Sequence, residues 1–136
     1  MPDRLFFGFM GLAMSLVVFA GFAPSFFLRD AAAPPLSALL LWHGVATSAW
    51  MLLFMVQTGL IAAHRLRLHR NLGYAGAGLA IAVVVLALTA SIIARGFTNR
   101  LVFSAGAVVM FVLYVGAGVA RRRDAASHKR LMLLAT

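Results

Sequence analysis

The chain has 136 residues, of which 63% are hydrophobic and 11% are charged, and its formal net charge is +9. A mean hydropathy of +0.98 excludes an ordinary soluble domain, because a soluble fold of this length could not cover so much apolar surface. Cysteine is absent, which excludes disulfides, thiolate metal sites and thiol catalysis. We therefore expect a protein whose solvent is lipid.

Four long apolar segments follow one another along the chain. They run from Leu5 to Leu28, Ala38 to Ala63, Leu72 to Ala94 and Leu101 to Ala120. A helix needs about 20 residues to cross the hydrocarbon core, and each segment is long enough. Lipid offers backbone groups no hydrogen-bond partner, and the alternating pattern of a membrane barrel strand is absent. The sequence thus predicts an all-α, single-domain integral membrane bundle of four transmembrane helices.

The connections between these segments contain turn and cap residues. Ser37 is placed to cap the second helix, and Asn71 the third. Residues 63–71 are expected to form a loop at the headgroup level. Gly96 and Asn99 favour a tight turn over residues 95–100, which would make helices 3 and 4 antiparallel neighbours.

The last part of the chain returns to apolar residues after a basic stretch. Residues 121–130 are expected to form a ten-residue loop. Residues 131–136 are too few to span a membrane. They are either an interfacial tail or the start of a fifth helix, and Lys129 and Arg130 resemble the cytoplasmic flank of such a helix.

The basic residues divide unequally between the two sides of the predicted bundle. One side holds nine, against three on the other, which are Arg29, Arg95 and Arg100. Short loops rich in Lys and Arg stay in the cytoplasm, so both chain ends are expected inside. The nine residues are Arg4, Arg65, Arg67, Arg70, Arg121, Arg122, Arg123, Lys129 and Arg130.

Anionic lipid headgroups are the expected partners of the basic loops, at about 1 kcal/mol per basic residue near the surface. No nucleic-acid partner is expected, since residues 121–130 contain no interleaved aromatics. Arginine outnumbers lysine in a chain rich in Ala, Leu and Gly, which favours a bacterial inner membrane. The headgroup residues are Arg65, Arg67, Arg70, Arg121, Arg122, Arg123, Lys129 and Arg130.

The second apolar segment carries a polar and aromatic stripe. His43, Thr47, Trp50, Phe54 and Gln57 are spaced four, three, four and three residues apart, which places them on one helical face. An ionisable residue at membrane depth is a candidate functional group, so His43, Trp50 and Gln57 could contact a haem or a quinone. In the alternative interpretation His43 bonds a backbone carbonyl, and Thr47 and Gln57 join helices.

The other candidate chemical groups are few. His43 has no second histidine at its depth for a bis-histidine haem, and only Met110 could serve instead. The remaining histidines, His64, His69 and His128, are expected to be solvated loop residues, and no metal site is predicted. The carboxylates are Asp3, Asp30 and Asp124, all outside the apolar segments, so paired-carboxylate catalysis within the membrane is excluded and an enzyme is not expected.

Three short blocks carry a family resemblance. They are His43-Gly44 through Trp50 to Gln57, then His69-Arg70-Asn71-Leu72-Gly73, then His128-Lys129-Arg130-Leu131-Met132. Together they resemble uncharacterised bacterial multi-helix membrane proteins, which are loosely similar to cytochrome b561-type domains and domains of unknown function. The resemblance implies further helices and names no reaction.

Three functions follow as hypotheses. The first is a non-catalytic accessory subunit that packs small-residue helix faces, such as Gly76 with Ala80 and Gly78 with Ala82, against a larger membrane complex. The second is a redox protein that binds haem b or a quinone through His43, Trp50 and Gln57. The third is a small-solute carrier that uses the same stripe.

Overall fold

The computed structural model describes residues 3–93 and 99–136, with side chains described for residues 5–93 and 104–136. Within these residues every regular element is a helix, and there are no strands. A short π-helical segment, Ala23–Phe27, extends the first of five α-helices. The helices are α1 Asp3–Phe22, α2 Ala38–Ala62, α3 Leu66–Ile93, α4 Asn99–Ala120 and α5 Ala125–Leu134.

The first apolar segment forms one continuous helical path with a change of winding near its end. The change coincides with Pro24, which lies in the first turn of the π-helical segment. Proline lacks an amide hydrogen and its ring clashes with the preceding turn, so a regular α-helix cannot continue unchanged through it. The path ends at Leu28, whose N–H donates to the Ala23 carbonyl at 2.7 Å.

The connection to α2 is held by local hydrogen bonds. Arg29 donates a side-chain hydrogen bond to the Pro34 carbonyl. Asp30 accepts one from the Ala32 N–H at 2.8 Å. Ser37 is extended and its hydroxyl accepts from the Leu40 N–H at 3.3 Å, so the predicted cap of the second helix is confirmed.

The turn between α2 and α3 is shorter than the sequence suggested. The N–H of Arg65 donates to the Leu60 carbonyl at 2.8 Å and that of His64 to the Ile61 carbonyl at 3.1 Å, which closes α2 in a Schellman motif. His64 occupies the left-handed position of this motif, with φ of 57°. Because the chain reverses within so few residues, α3 already begins at Leu66, and the predictions of a loop over residues 63–71 and a cap at Asn71 were wrong.

The predicted loop over residues 121–130 was also wrong. Asp124 is extended and its carboxylate accepts from the N–H groups of Ala126, at 3.0 Å, and Ser127, at 3.4 Å. These bonds satisfy the first free donors of a helix, so α5 starts at Ala125 and carries Lys129 and Arg130 within it. Residues 131–134 are therefore the last part of this helix.

Consecutive helices pack against each other, and α5 reaches back to α1. Gly11 lies against Phe54 and Gly44 against Phe26, so α1 and α2 are antiparallel. Gly118 lies against Met132, which makes α4 and α5 antiparallel as well. We call the end of the bundle where α1, α3 and α5 begin the basic end. The buried core consists of Ala46, Trp50, Met51, Ala80, Val83 and Ala135, with Val18, Phe19, Leu79, Leu86, Phe111, Tyr114, Val115 and Met132 packed against it.

Three of the described helical segments are long and apolar enough to cross a membrane. They are Leu5–Phe27, Ala38–Ala62 and Leu66–Ile93. The apolar part of α4 with described side chains, Ser104–Ala120, is shorter. The predicted turn over residues 95–100 lies largely outside the described residues. The chain is thus a helical protein with three membrane-capable segments, as its composition required.

Candidate functional site

The predicted stripe on α2 faces the interior of the bundle. Trp50 and Phe54 are buried, and His43, Thr47 and Gln57 are half-buried. Thr47 donates its hydroxyl hydrogen to the His43 carbonyl at 2.8 Å, one turn back on the same helix. Thr47 therefore does not join two helices through this bond. The three candidate cofactor residues, His43, Trp50 and Gln57, lie in three different parts of the fold, which we describe in turn.

His43 lies beside the end of α1, in a cavity of about 20 Å³. Phe19, Phe22 and Phe26 form much of its wall, and the adjoining Gly44 leaves room for the Phe26 ring. This volume is enough for one water molecule. The Nδ1 atom of His43 is buried and has no hydrogen-bond partner among the described residues.

The His43 site does not fit a haem. The cavity is far smaller than a macrocycle, and phenylalanine rings line it together with His43. Met110, the candidate second axial ligand, is 53% exposed on α4 and so does not lie buried opposite His43. The residues around His43 thus provide neither the space nor the second ligand that a six-coordinate haem needs.

Trp50 is at the centre of the bundle, with 6% of its surface exposed. Its ring meets Phe111 of α4 edge-on, with ring centres 5.0 Å apart. The indole Nε1 has no hydrogen-bond partner among the described residues, and neither has the Ser15 hydroxyl of α1. Ser15 is one turn beyond Gly11, which contacts Phe54, and so lies at the depth of Trp50. Two unpartnered polar groups therefore occupy the middle of the buried core.

Gln57 belongs to the basic end of the bundle. Its side-chain nitrogen lies 4.0 Å from where a Cβ would stand on Gly73 of α3, and its Oε1 is buried without a partner among the described residues. One turn before Gly73, His69 also has a buried and unpartnered Nδ1. Because Gly73 has no side chain, the side-chain amide of Gln57 can approach the backbone of α3 closely.

His69 and His128 come together at this end, which the sequence did not predict. Their ring centres are 6.3 Å apart and the rings are nearly perpendicular. The His128 Nδ1 lies 2.7 Å from the Gly118 carbonyl oxygen. Because that oxygen can only accept, Nδ1 carries the hydrogen and Nε2 is left with its lone pair or a second hydrogen.

The expectation that these histidines are solvated loop residues was wrong for both. Each lies on a helix and is half-buried, whereas His64 is exposed in the turn after α2. The signal that could have found the pair is that His69 and His128 begin two of the three blocks described above. Among the described residues no group of three or more His, Asp or Glu could hold a metal ion.

The eight predicted headgroup residues gather at the basic end. Seven of them are exposed, and Lys129 is partly buried, with its ammonium 5.0 Å from the centre of the Phe7 ring of α1. Asp124 lies among them. A hydrogen bond from the Ser127 hydroxyl, with bonds from the N–H groups of Ser127 and Ala126 and the charge of Arg121, holds the pKa of Asp124 below its usual value.

No protein-family model, no curated protein and no solved structure matches the chain.

Proposed function

We propose that the chain is a non-catalytic accessory subunit of a larger membrane complex. It crosses a bacterial inner membrane four times with both ends in the cytoplasm, and a transmembrane helix of a partner protein completes its bundle. The observation that carries this proposal is that α5 contacts both α4 and α1, while α1 and α4 are not among the closely packed helix pairs of the described residues.

We call the space between α1 and α4 the cleft. In the described residues α5 contacts both helices, and α1 and α4 are not among the closely packed pairs. Gly118 is buried against Met132 and marks the α4 face that α5 covers, while Ala117 beside it is exposed. Met110 lies two turns further from the basic end on the same side of α4 as Ala117, and it is exposed. This side of α4 is therefore open to a helix of another protein.

Small residues with open space around them occur on both α1 and α4 and allow close approach of another helix. A Cβ added at Gly21 of α1 or Gly106 of α4 would meet nothing within 4 Å. From the α1–α2 contacts and the Trp50–Phe111 contact, both glycines lie at a similar depth. Helices associate in lipid mainly through such close packing, because the apolar surface itself gives no driving force there.

Site-specific photocrosslinking tests the proposal in native membranes. A photoreactive residue at Met110 is expected to crosslink to one defined membrane protein. Ile81 of α3, which is 66% exposed at nearly the same depth, is the matched control and should label lipid only. Equal protein crosslinks from both positions, or lipid adducts alone from Met110 together with a monodisperse monomer in mild detergent, would contradict the proposal.

A second candidate is a redox protein that binds a quinone. The observation in its favour is that His43 Nδ1, Trp50 Nε1 and Gln57 Oε1 are all buried and unpartnered on one face of α2. Two of these groups can donate hydrogen bonds to quinone carbonyls, and the burial of an unpartnered polar group costs about 1–3 kcal/mol. His43 and Gln57, at the two ends of this face, are each about 10 Å from Trp50 along the helix axis.

Tryptophan fluorescence separates this candidate from the first. The Trp42→Phe variant keeps Trp50 as its one tryptophan. Added quinone should quench the fluorescence of Trp50, and the quenching should saturate at a low mole fraction of quinone in the lipid. The Trp50→Phe variant reports collisional quenching of the exposed Trp42 and is the control. Linear, unsaturable quenching of both would exclude a quinone site beside Trp50.

A further inference from the structure

The geometry points to a binding site for the phosphate headgroup of an anionic lipid in the groove between α4 and α5, with Arg121 and Arg130 as its ligands. The groove has a volume of about 330 Å³ and is lined by Ala117, Arg121, Ser127, Arg130 and Leu131. The proposal concerns a surface outside the cleft between α1 and α4, and it does not depend on the proposed function.

The two arginines approach the groove from different helical segments. Arg121 follows the last residue of α4, and Arg130 lies in the middle of α5. Both are exposed. A guanidinium presents planar N–H donors that match phosphate oxygens in pairs, so two of them across one groove can hold a phosphodiester from two sides.

The carboxylate nearest to this groove is already engaged. Asp124 accepts from the N–H groups of Ala126 and Ser127 and from the Ser127 hydroxyl at 2.5 Å. It is the only acidic residue after Asp30 in the sequence. The Ser127 hydroxyl donates its hydrogen to Asp124, so the donors left for a phosphate in the groove are the two guanidinium groups.

The apolar part of the lining distinguishes a lipid from a free anion. Ala117 lies on the apolar part of α4, and Leu131 begins the run of apolar residues that ends α5. The groove thus has charged groups where the apolar helix surface stops and apolar groups on the side that continues into the hydrocarbon core. A headgroup with acyl chains has the same order of polarity, whereas inorganic phosphate would use only the charged half.

The experiment is native mass spectrometry of the full chain titrated with phosphatidylglycerol, with phosphatidylcholine as the neutral lipid. The R121Q/R130Q variant is expected to bind phosphatidylglycerol about tenfold more weakly than the wild type. The R122Q/R123Q variant loses the same two charges next to the groove, and it should weaken binding clearly less than R121Q/R130Q does, because it keeps both guanidinium groups of the groove. The R121K/R130K variant keeps the charge without the planar fork, and it should bind between the wild type and R121Q/R130Q.

Each other outcome overturns the proposal. Equal weakening in R121Q/R130Q and R122Q/R123Q would mean that the basic end attracts anionic lipids diffusely. Displacement of the lipid by excess inorganic phosphate would identify an anion site that ignores acyl chains. Unchanged binding in R121Q/R130Q, with R121K/R130K confirming that the groove variants fold, would place the lipid elsewhere.

Discussion

His128 of α5 bonds the carbonyl of Gly118, ten residues earlier, through a 2.7 Å contact at Nδ1. Gly118 is in the last turn of α4, where carbonyls have no partner in the helix. The neighbouring Ala117 and Val119 carbonyls accept from the N–H groups of Arg121 and Arg122. The imidazole therefore completes the cap of α4 and, in the same bond, fixes α5 against it.

Removing this bond should loosen α5. In His128→Ala we expect amide exchange across α5 to speed up by an amount that corresponds to about 1 kcal/mol, the usual net contribution of one hydrogen bond. His128→Asn is the control, because the asparagine side chain can present an N–H close to the position of Nδ1 while it removes the ring contact with His69. If both variants exchange equally fast, the ring contact and not the cap holds α5.

The glycines of the bundle should differ in their tolerance of a methyl group. A Cβ at Gly44 would overlap the Phe26 ring, so Gly44→Ala is expected to destabilise the α1–α2 contact by about 1–3 kcal/mol. At Gly78 a Cβ meets nothing within 4 Å, and Gly78→Ala should stabilise α3 by up to about 1 kcal/mol. Thermal unfolding in detergent measures both, and equal effects would show that Phe26 does not pack on Gly44.

The start of α5 should weaken in acid. The hydrogen bond from the Ser127 hydroxyl, first among several causes, lowers the pKa of Asp124. A carboxylate with a lowered folded pKa stabilises the fold above its unfolded pKa of about 4, and this stabilisation is lost as pH falls through the folded value. Protection of the Ala126 and Ser127 amides, corrected for intrinsic exchange, should therefore fall between about pH 5 and pH 3.

Asp124→Asn provides the control for this pH dependence. Asparagine can still accept the two backbone hydrogen bonds but does not titrate. Its protection at Ala126 and Ser127 should be the same at both ends of the range. Loss of protection in acid in this variant as well would trace the effect to another group.

The fluorescence of the two tryptophans should distinguish the lipid-facing surface of α2 from the buried core. Trp42 is 62% exposed on α2, whereas Trp50 is buried against Phe111. In bilayers with brominated acyl chains, the single-tryptophan variant Trp50→Phe should lose most of its fluorescence and Trp42→Phe should keep most of it. Quenching of neither would argue against a membrane location, and strong quenching of Trp50 would show that lipid enters the core.

Local chemistry in the sequence predicted much of the helical framework. The predicted second helix is present with its Ser37 cap, and its stripe points inward at Trp50 and Phe54. Helix periodicity depends only on neighbours within a few residues, so it can be read from the chain alone. The turn at His64 escaped prediction because a left-handed position usually holds glycine.

The sequence could not show which of the two small-residue pairs of α3 packs against another helix. Gly76 and Ala80 are buried, and Gly76 meets Leu53 of α2, while the pair Gly78 and Ala82 is offset on the same helix and Gly78 is exposed. Both pairs have the same spacing. In lipid the outside of a helix is as apolar as the inside, so hydrophobicity does not mark the face that packs.

The sequence by itself determined that the chain is helical, with segments long and apolar enough to cross a membrane, since segment length and apolar content follow from composition and order alone. Only the tertiary structure brought His69 to His128 and placed Arg121 and Arg130 on one groove. These pairs depend on the return of α5 along α4 towards α1, which a single Asp124 cap starts and packing against the core completes. Contacts between distant residues are set by how helices rotate and pack together, and no local pattern along the chain encodes them.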